Sequence, residues 1–262
     1  MDEFLCLLKE MDNDKTSNSI FEPAFTQIEH FCDYVFCIDI TAGMAPLINN
    51  IKEIITNLYN RAKTYYSKYD NRKLVSLRVR IIAFRDVYLD GKQWLETSDF
   101  FILPSQLNEL LAFLDTLEAK GGGDKTKSSL EALALAMRTS WVKVNDPNAQ
   151  RARHIIILCT DAASHSYEES NHQNTENYPH GMPKSYEDLL MEWNGSQPLI
   201  RNQEGTLYID KTAKRLFVFA PEECYPWYDM IEEFEYMCMV SIKKGSGFNG
   251  INYKVMLDSM FL

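Results

Sequence analysis

No Cys-x-x-Cys pair occurs in the 262-residue chain; its six cysteines, Cys6, Cys32, Cys37, Cys159, Cys224 and Cys238, are scattered. That spacing argues against a zinc ribbon or a disulfide framework. It reads instead as buried thiols in a reducing compartment, so a cytoplasmic location is expected. No apolar run approaches the length of a bilayer span. The opening residues, Met1 to Lys15, lack a basic segment followed by a long apolar one, so no signal peptide is expected. An excess of positive charge is also missing: 27 Lys and Arg stand against 37 Asp and Glu, a formal net charge of -10. Such a surface repels phosphate backbones and anionic headgroups, which argues against nucleic acid and membrane partners. Divalent cations and basic surfaces suit it better. The phosphate-cradle patterns G-x-x-x-x-G-K-S/T and G-x-G-x-x-G are absent too, and Lys125 and Lys127 are too little to make a nucleotide site of the glycines beside them.

What is present is globular. Apolar residues make up 45% of the chain and charged residues 24%, ordinary values for a packed domain. Residues 1–29 are expected to form an N-terminal arm and residues 30–262 one domain. Short apolar runs rich in β-branched residues predict strands around Val35–Ile38, Leu74–Phe84, His154–Thr160, Arg215–Ala220 and Tyr236–Ile242, with a weaker edge strand in Trp94–Phe101. Between them, apolar residues at helical spacing predict helices from Met44 to Leu58, Ser105 to Ala119, Thr126 to Met137, Tyr186 to Trp193 and Tyr228 to Phe234, and a last one at Tyr253–Phe261. Strand and helix alternate almost throughout. The expected fold is therefore α/β, a doubly wound, mostly parallel central sheet with helices on both faces and one antiparallel edge strand.

Three acidic loops carry the chemistry. Asp39 ends the first strand and is followed two positions later by Thr41, so their hard oxygens can converge on a cation in one tight loop at the end of the sheet where ligands bind. Helix capping by either residue is the plainer alternative. Asp124 and Thr126 follow Gly121, Gly122 and Gly123 in a loop whose glycines permit close approach. Asp161 ends the most apolar strand of the chain. Of the histidines in the polar stretch after it, His165 is the one nearest a site; His172 and His180 fit no shared helix face. Trp94, Tyr225, Trp227 and Tyr228 are candidates either for a partner surface or for packing.

With D-I-T-A-G at Asp39, G-G-G-D-K-T at Gly121 and L-C-T-D-A at Leu158 in order, the chain resembles the von Willebrand factor A-type domains from about residue 30 to its end. A-F-R-D-V at Ala83 and the GGGD loop are most like the intracellular branch of that family. The resemblance implies a Rossmann-like fold with a metal-ion-dependent adhesion site. Its ligands would be Asp39, Thr41, Asp124, Thr126 and Asp161, supported by Gly43, Gly122, Gly123 and His165, and the ion Mg²⁺, or else Mn²⁺ or Ca²⁺. It also implies a non-catalytic interaction module in which a partner protein contributes an Asp or Glu to the metal. One departure is visible: the family's second Ser of the first loop is Gly43 here, which removes a hydroxyl ligand. A metal-free scaffold with a degenerate site is thus one alternative. Another is an aspartyl-phosphate hydrolase with Asp39 as nucleophile, against which stands Thr41 where a second acid belongs.

Overall fold

The computed structural model describes residues 27–123, 125–169, 176–195, 209–249 and 252–260. Residues 1–26 of the expected arm lie outside them, and β1 (Ile28–Asp39) starts directly after. Side chains of β1 alternate between two cores. Tyr34, Phe36 and Ile38 pack with Leu47, Ile51, Ile54 and Leu58 of α1 (Ala45–Tyr66), whereas Val35 and Cys37 enter the opposite core. Burial on both faces is why this strand reads as an unbroken apolar run.

β2 (Arg72–Phe84) lies parallel to β1 on one side. Its outer edge carries β3 (Leu95–Thr97) and β4 (Phe101–Leu103), both antiparallel to it. The single edge strand expected from the sequence is thus two short pieces, shifted toward Leu103. After α2 (Leu107–Thr116) the chain reaches β5 (Thr126–Lys127) and α3 (Ser129–Met137). The helix expected from Thr126 begins at Ser129, because Thr126 and Lys127 are held extended against Ala163 and Ser164.

β6 (Gln150–Cys159) then pairs with the free side of β1, parallel, and the strandlet β7 (Ala163–Ser164) follows it. After α4 (Tyr186–Asn194), β8 (Lys214–Ala220), α5 (Trp227–Glu233) and β9 (Met237–Ser241) extend the sheet, and α6 (Tyr253–Ser259) closes the described chain. The strand order is β3-β2-β1-β6-β8-β9, with β4 also on β2. α1, α2 and α6 cover one face, and α3, α4 and α5 the other. The winding reverses between β1 and β6, so the crevice past Asp39 and Cys159 is the switch point of the sheet, where α/β folds bind ligands.

Cys32, Cys37, Cys159 and Cys224 are buried free thiols and Cys238 is half-buried; Cys6 lies outside the described residues. Among the described residues no helix is long and apolar enough to cross a membrane.

Candidate metal centre

Asp39 is fully buried at the end of β1. Its Oδ1 accepts the Thr41 backbone N–H at 2.9 Å and the Thr41 hydroxyl at 2.7 Å, and its Oδ2 accepts the Thr160 hydroxyl at 2.8 Å. Burial raises the Asp39 carboxyl above the ordinary carboxylate range, the Thr41 and Thr160 hydrogen bonds work to lower it, and the nearby charge of Asp161 adds to the rise. A carboxylate so engaged is a positioning group: by taking the Thr41 proton it leaves the lone pairs of that hydroxyl as acceptors.

Register brings the second acidic loop alongside. Ile38 pairs with Cys159, so the loops that follow β1 and β6 emerge side by side. The Asp161 carbonyl accepts the Gly245 N–H at 2.9 Å, and its carboxylate Oδ2 accepts the Gly247 N–H at 2.6 Å. The glycine loop after α2 closes the third side. Ala42 N–H donates to the Gly121 carbonyl and Lys120 N–H to that of Ile40. Gly122 N–H donates to the Asp90 carboxylate at 3.1 Å. Gly122 has φ +66, and a Cβ on it would overlap the Thr41 side chain, so this position requires glycine both for its backbone and for the approach to Thr41. Arg85, almost wholly buried, holds the same loop from behind through the carbonyls of Glu118 (2.9 Å) and Lys120 (3.1 Å).

Together these loops enclose a cavity of about 390 Å³, lined by Thr41, Gly43, Gly122 and Asp161 from the expected set and by Lys125, Lys127 and Lys244. Asp124 lies outside the described residues. Asp39 stands behind Thr41, without exposed surface of its own. Gly43, at φ +94, has open space where a side chain would project.

Thr126 goes elsewhere: its hydroxyl lies 3.1 Å from His165 Nδ1 and 3.2 Å from Nε2. His165, although it opens the polar stretch after Asp161, is buried. Its Nε2 is 3.1 Å from Asp86 and its Nδ1 3.2 Å from Glu169, with Tyr88 packed edge-on. Burial alone would lower the His165 imidazole, but the Asp86 and Glu169 carboxylates hold it above its ordinary value. Burial acts to raise Asp86, yet hydrogen bonds from His165 and the Tyr88 N–H hold it below the usual range. A salt-bridged core pair of this kind is a structural use of histidine.

Thr160, Asp90, Lys127 and Lys244, which hold or line the rim, escaped the sequence reading as site residues. Thr160 was visible as the neighbour of Asp161 in L-C-T-D, and Lys127 as the lysine after the glycine loop. Asp90 and Lys244 carry no local signal, since only the folded loops bring them to the rim.

The donor chemistry fits a hard ion, with limits. Thr41 and Asp161 offer oxygen ligands into the cavity and leave room for waters, as a magnesium-class ion requires. The three lysines oppose a cation by like charge. Among the described residues no group of three or more His, Cys, Asp or Glu side chains is placed to hold a metal.

Fold and site together define an α/β protein of the Rossmann-like, doubly wound kind with a polar cavity at the carboxyl rim of its sheet. No family model matches the chain, and no curated protein matches it. Among solved structures it is similar to proximal thread matrix protein 1 from the mussel byssus, with 10% identity and a TM-score of 0.48 over 90% of this chain and 48% of that one. The same figures hold for that protein "with zinc occupied MIDAS motif". It is also similar to the pilus adhesin SpaC from Lactobacillus rhamnosus GG, with 12% identity and a TM-score of 0.46 over 88% of this chain and 30% of that one. The chain spans about half the length of the first and under a third of the last. At these identities and TM-scores the likeness says nothing of what this chain binds.

Proposed function

We propose that this chain is a non-catalytic protein-interaction module that engages an acidic side chain of a partner at the rim cavity. The intracellular branch of the von Willebrand factor A-type domains is the family its motifs best fit, and a cytoplasmic location goes with that reading. The observation that carries the proposal is the lacing of Thr41 and Thr160 through Asp39 at the switch point, next to an Asp161 held by the Gly245 and Gly247 N–H groups, so that a hydroxyl and a carboxylate line one cavity. Catalysis by Asp39 is disfavoured by its burial and by the hydrogen bonds on both its oxygens.

In the metal-dependent form, Thr41 and Asp161 would hold Mg²⁺ or Mn²⁺, with Asp39 fixing the Thr41 hydroxyl from behind and Asp124 as the further ligand expected from the sequence. Such an ion would offer an open coordination position to a partner's Asp or Glu, beside the positive charge of the lysines that line the cavity. Gly122 permits the close packing that fixes Thr41, and the 245–247 turn aims the Asp161 carboxylate through its N–H donors.

A second reading rests on Lys127, whose side chain is buried and lines the same cavity with Lys125 and Lys244. Here the ammonium groups supply the positive charge themselves and the site is metal-free. Calorimetric titration with MnCl₂ separates the two. The metal form expects binding heat that falls at least about tenfold in affinity in Thr41→Ala and persists in Lys127→Met. Absence of heat with the folded wild-type chain overturns the metal form and leaves the lysine form standing.

A further inference from the structure

Four of the eight most exposed large apolar side chains among the described residues, Tyr225, Tyr228, Ile231 and Tyr236, fall within one short stretch around α5. Tyr228 is 59% exposed, the most of any of them. Scattered apolar residues on a surface need no explanation, but a contiguous group of aromatic ones marks a contact surface. The core does not account for them. Trp227 and Met230 of the same helix are fully buried and fasten α5 to the sheet, while Tyr228 and Ile231, three apart on the helix, face outward.

The surroundings of this patch fix the sign of what covers it. Between Pro221 and Tyr236 the sequence has Glu222, Glu223, Asp229, Glu232, Glu233 and Glu235 and no lysine or arginine. Beside the patch lies a cavity of about 410 Å³. Asp229 and Glu233, four apart on α5, form one wall, Glu168 and Glu187 contribute two more carboxylates, and the Tyr186 and Tyr225 rings stand 6.5 Å apart at 55°. No cationic side chain lines it among the described residues. Burial first, and then the Glu233 and Asp229 carboxylates, push the Tyr186 hydroxyl up; burial also raises that of Tyr225, against a hydrogen bond from Ser166 and with the adjoining carboxylates, so both rings stay neutral.

Carboxylates gathered around neutral aromatic rings match a guanidinium in particular. It is flat, stacks on tyrosine, and donates in a fork that a carboxylate accepts. The ring half of this pairing occurs at the edge of the patch, where the Arg215 guanidinium lies 4.8 Å from the Tyr236 ring centroid. We propose that the α5 surface is a docking site for an arginine-bearing, partly apolar segment of a partner protein. An arginine of that segment enters the cavity between Tyr186, Tyr225, Asp229 and Glu233, and its apolar residues cover Tyr228 and Ile231. This site shares no residue with the rim cavity and stands or falls without it.

The test is fluorescence anisotropy on the full chain in the presence of a chelator, so that the rim plays no metal-dependent part. The probes are a labelled peptide of alternating arginine and leucine and its counterpart with glutamate for arginine. The arginine peptide is expected to bind and the glutamate peptide to stay free. Asp229→Asn with Glu233→Gln is expected to weaken binding about tenfold, and Tyr228→Ser with Ile231→Ser to weaken it further. Glu53→Gln with Asp70→Asn removes the same charge from exposed positions in and just after α1, on the opposite face, and is expected to leave binding unchanged. Equal weakening by both charge-removing pairs would reduce the effect to net charge and overturn the proposal. So would no binding of the arginine peptide at low salt, or sedimentation showing a dimer that Tyr228→Ser with Ile231→Ser dissolves, since a second copy would then be the occupant.

Discussion

Two cavities of nearly equal volume, about 390 Å³ at the rim and about 410 Å³ beside α5, have opposite linings. The rim cavity gathers Lys125, Lys127 and Lys244 around one described carboxylate, Asp161; the α5 cavity gathers four carboxylates around two tyrosines. A net charge of -10 says nothing of this division. Bulk acidity is an average, and the fold gathers lysines at one cavity and acids at the other. The two also differ in construction. Loops after β1, α2, β6 and β9 build the rim, and hydrogen bonds of their backbone hold it. Much of the α5 surface comes from one continuous stretch, with exposed side chains.

That difference in construction predicts a graded response to substitution. Gly122→Ala has the largest effect, roughly 4 kcal/mol of stability, because it adds left-handed backbone strain to an overlap with the Thr41 side chain; urea unfolding measures it. A loss under 1 kcal/mol would show that the rim is as pliable as the α5 surface.

A buried carboxylate supplies the next test. Glu131 on α3 is fully buried, and burial raises its carboxyl from 4.5 to about 7, with a hydrogen bond from Tyr178 OH at 3.0 Å opposing the rise. The folded chain therefore holds this proton more tightly than the unfolded one. Stability falls as pH rises from about 4.5 through about 7 and stays lowered above. Glu131→Gln, neutral at every pH, is expected to raise stability by roughly 3 kcal/mol at pH 8. The gain should shrink toward zero as the pH approaches 5, which thermal melts across that range check.

Within the rim itself, Gly43→Ser meets no neighbour and costs only its positive φ, about 1 kcal/mol. The added hydroxyl is expected to strengthen Mn²⁺ binding if the metal form of the site holds, and calorimetry on this variant reads that out. At the α5 surface, Tyr228→Ser with Ile231→Ser is expected to leave stability within about 0.5 kcal/mol, because exposed side chains have little packing to lose. A larger loss in a urea melt would mean that these residues support the core.

Most elements were legible from the apolar pattern. β1 and β6 are covered on both faces and read as continuous runs, while α1 shows Leu47, Ile51, Ile54 and Leu58 at helical spacing. Errors arose where tertiary pairing overrode local preference. Thr126 and Lys127 follow a glycine loop and precede a helical pattern, yet they are extended because β7 pairs with them. The edge strand divides because β2 receives Leu95–Thr97 and Phe101–Leu103 at separate positions. In the site, Asp39, Thr41 and Asp161 were legible as strand-end residues. Thr126 carried the same signal and turned to His165 instead, since which way a loop hydroxyl faces is decided by its neighbours across space. Trp94 and Trp227 proved buried, whereas Tyr225 and Tyr228 are exposed.

The sequence by itself determined the α/β alternation, the two-sided burial of the central strands and the placement of acids at their ends, because periodicity and strand termini are local properties of the chain. Only the tertiary structure decided that Thr41 and Asp161 share a cavity with three lysines, that His165 is a core residue, and that α5 turns tyrosines and carboxylates outward together. Those arrangements depend on register and loop closure between residues far apart in the chain, and no local pattern encodes them.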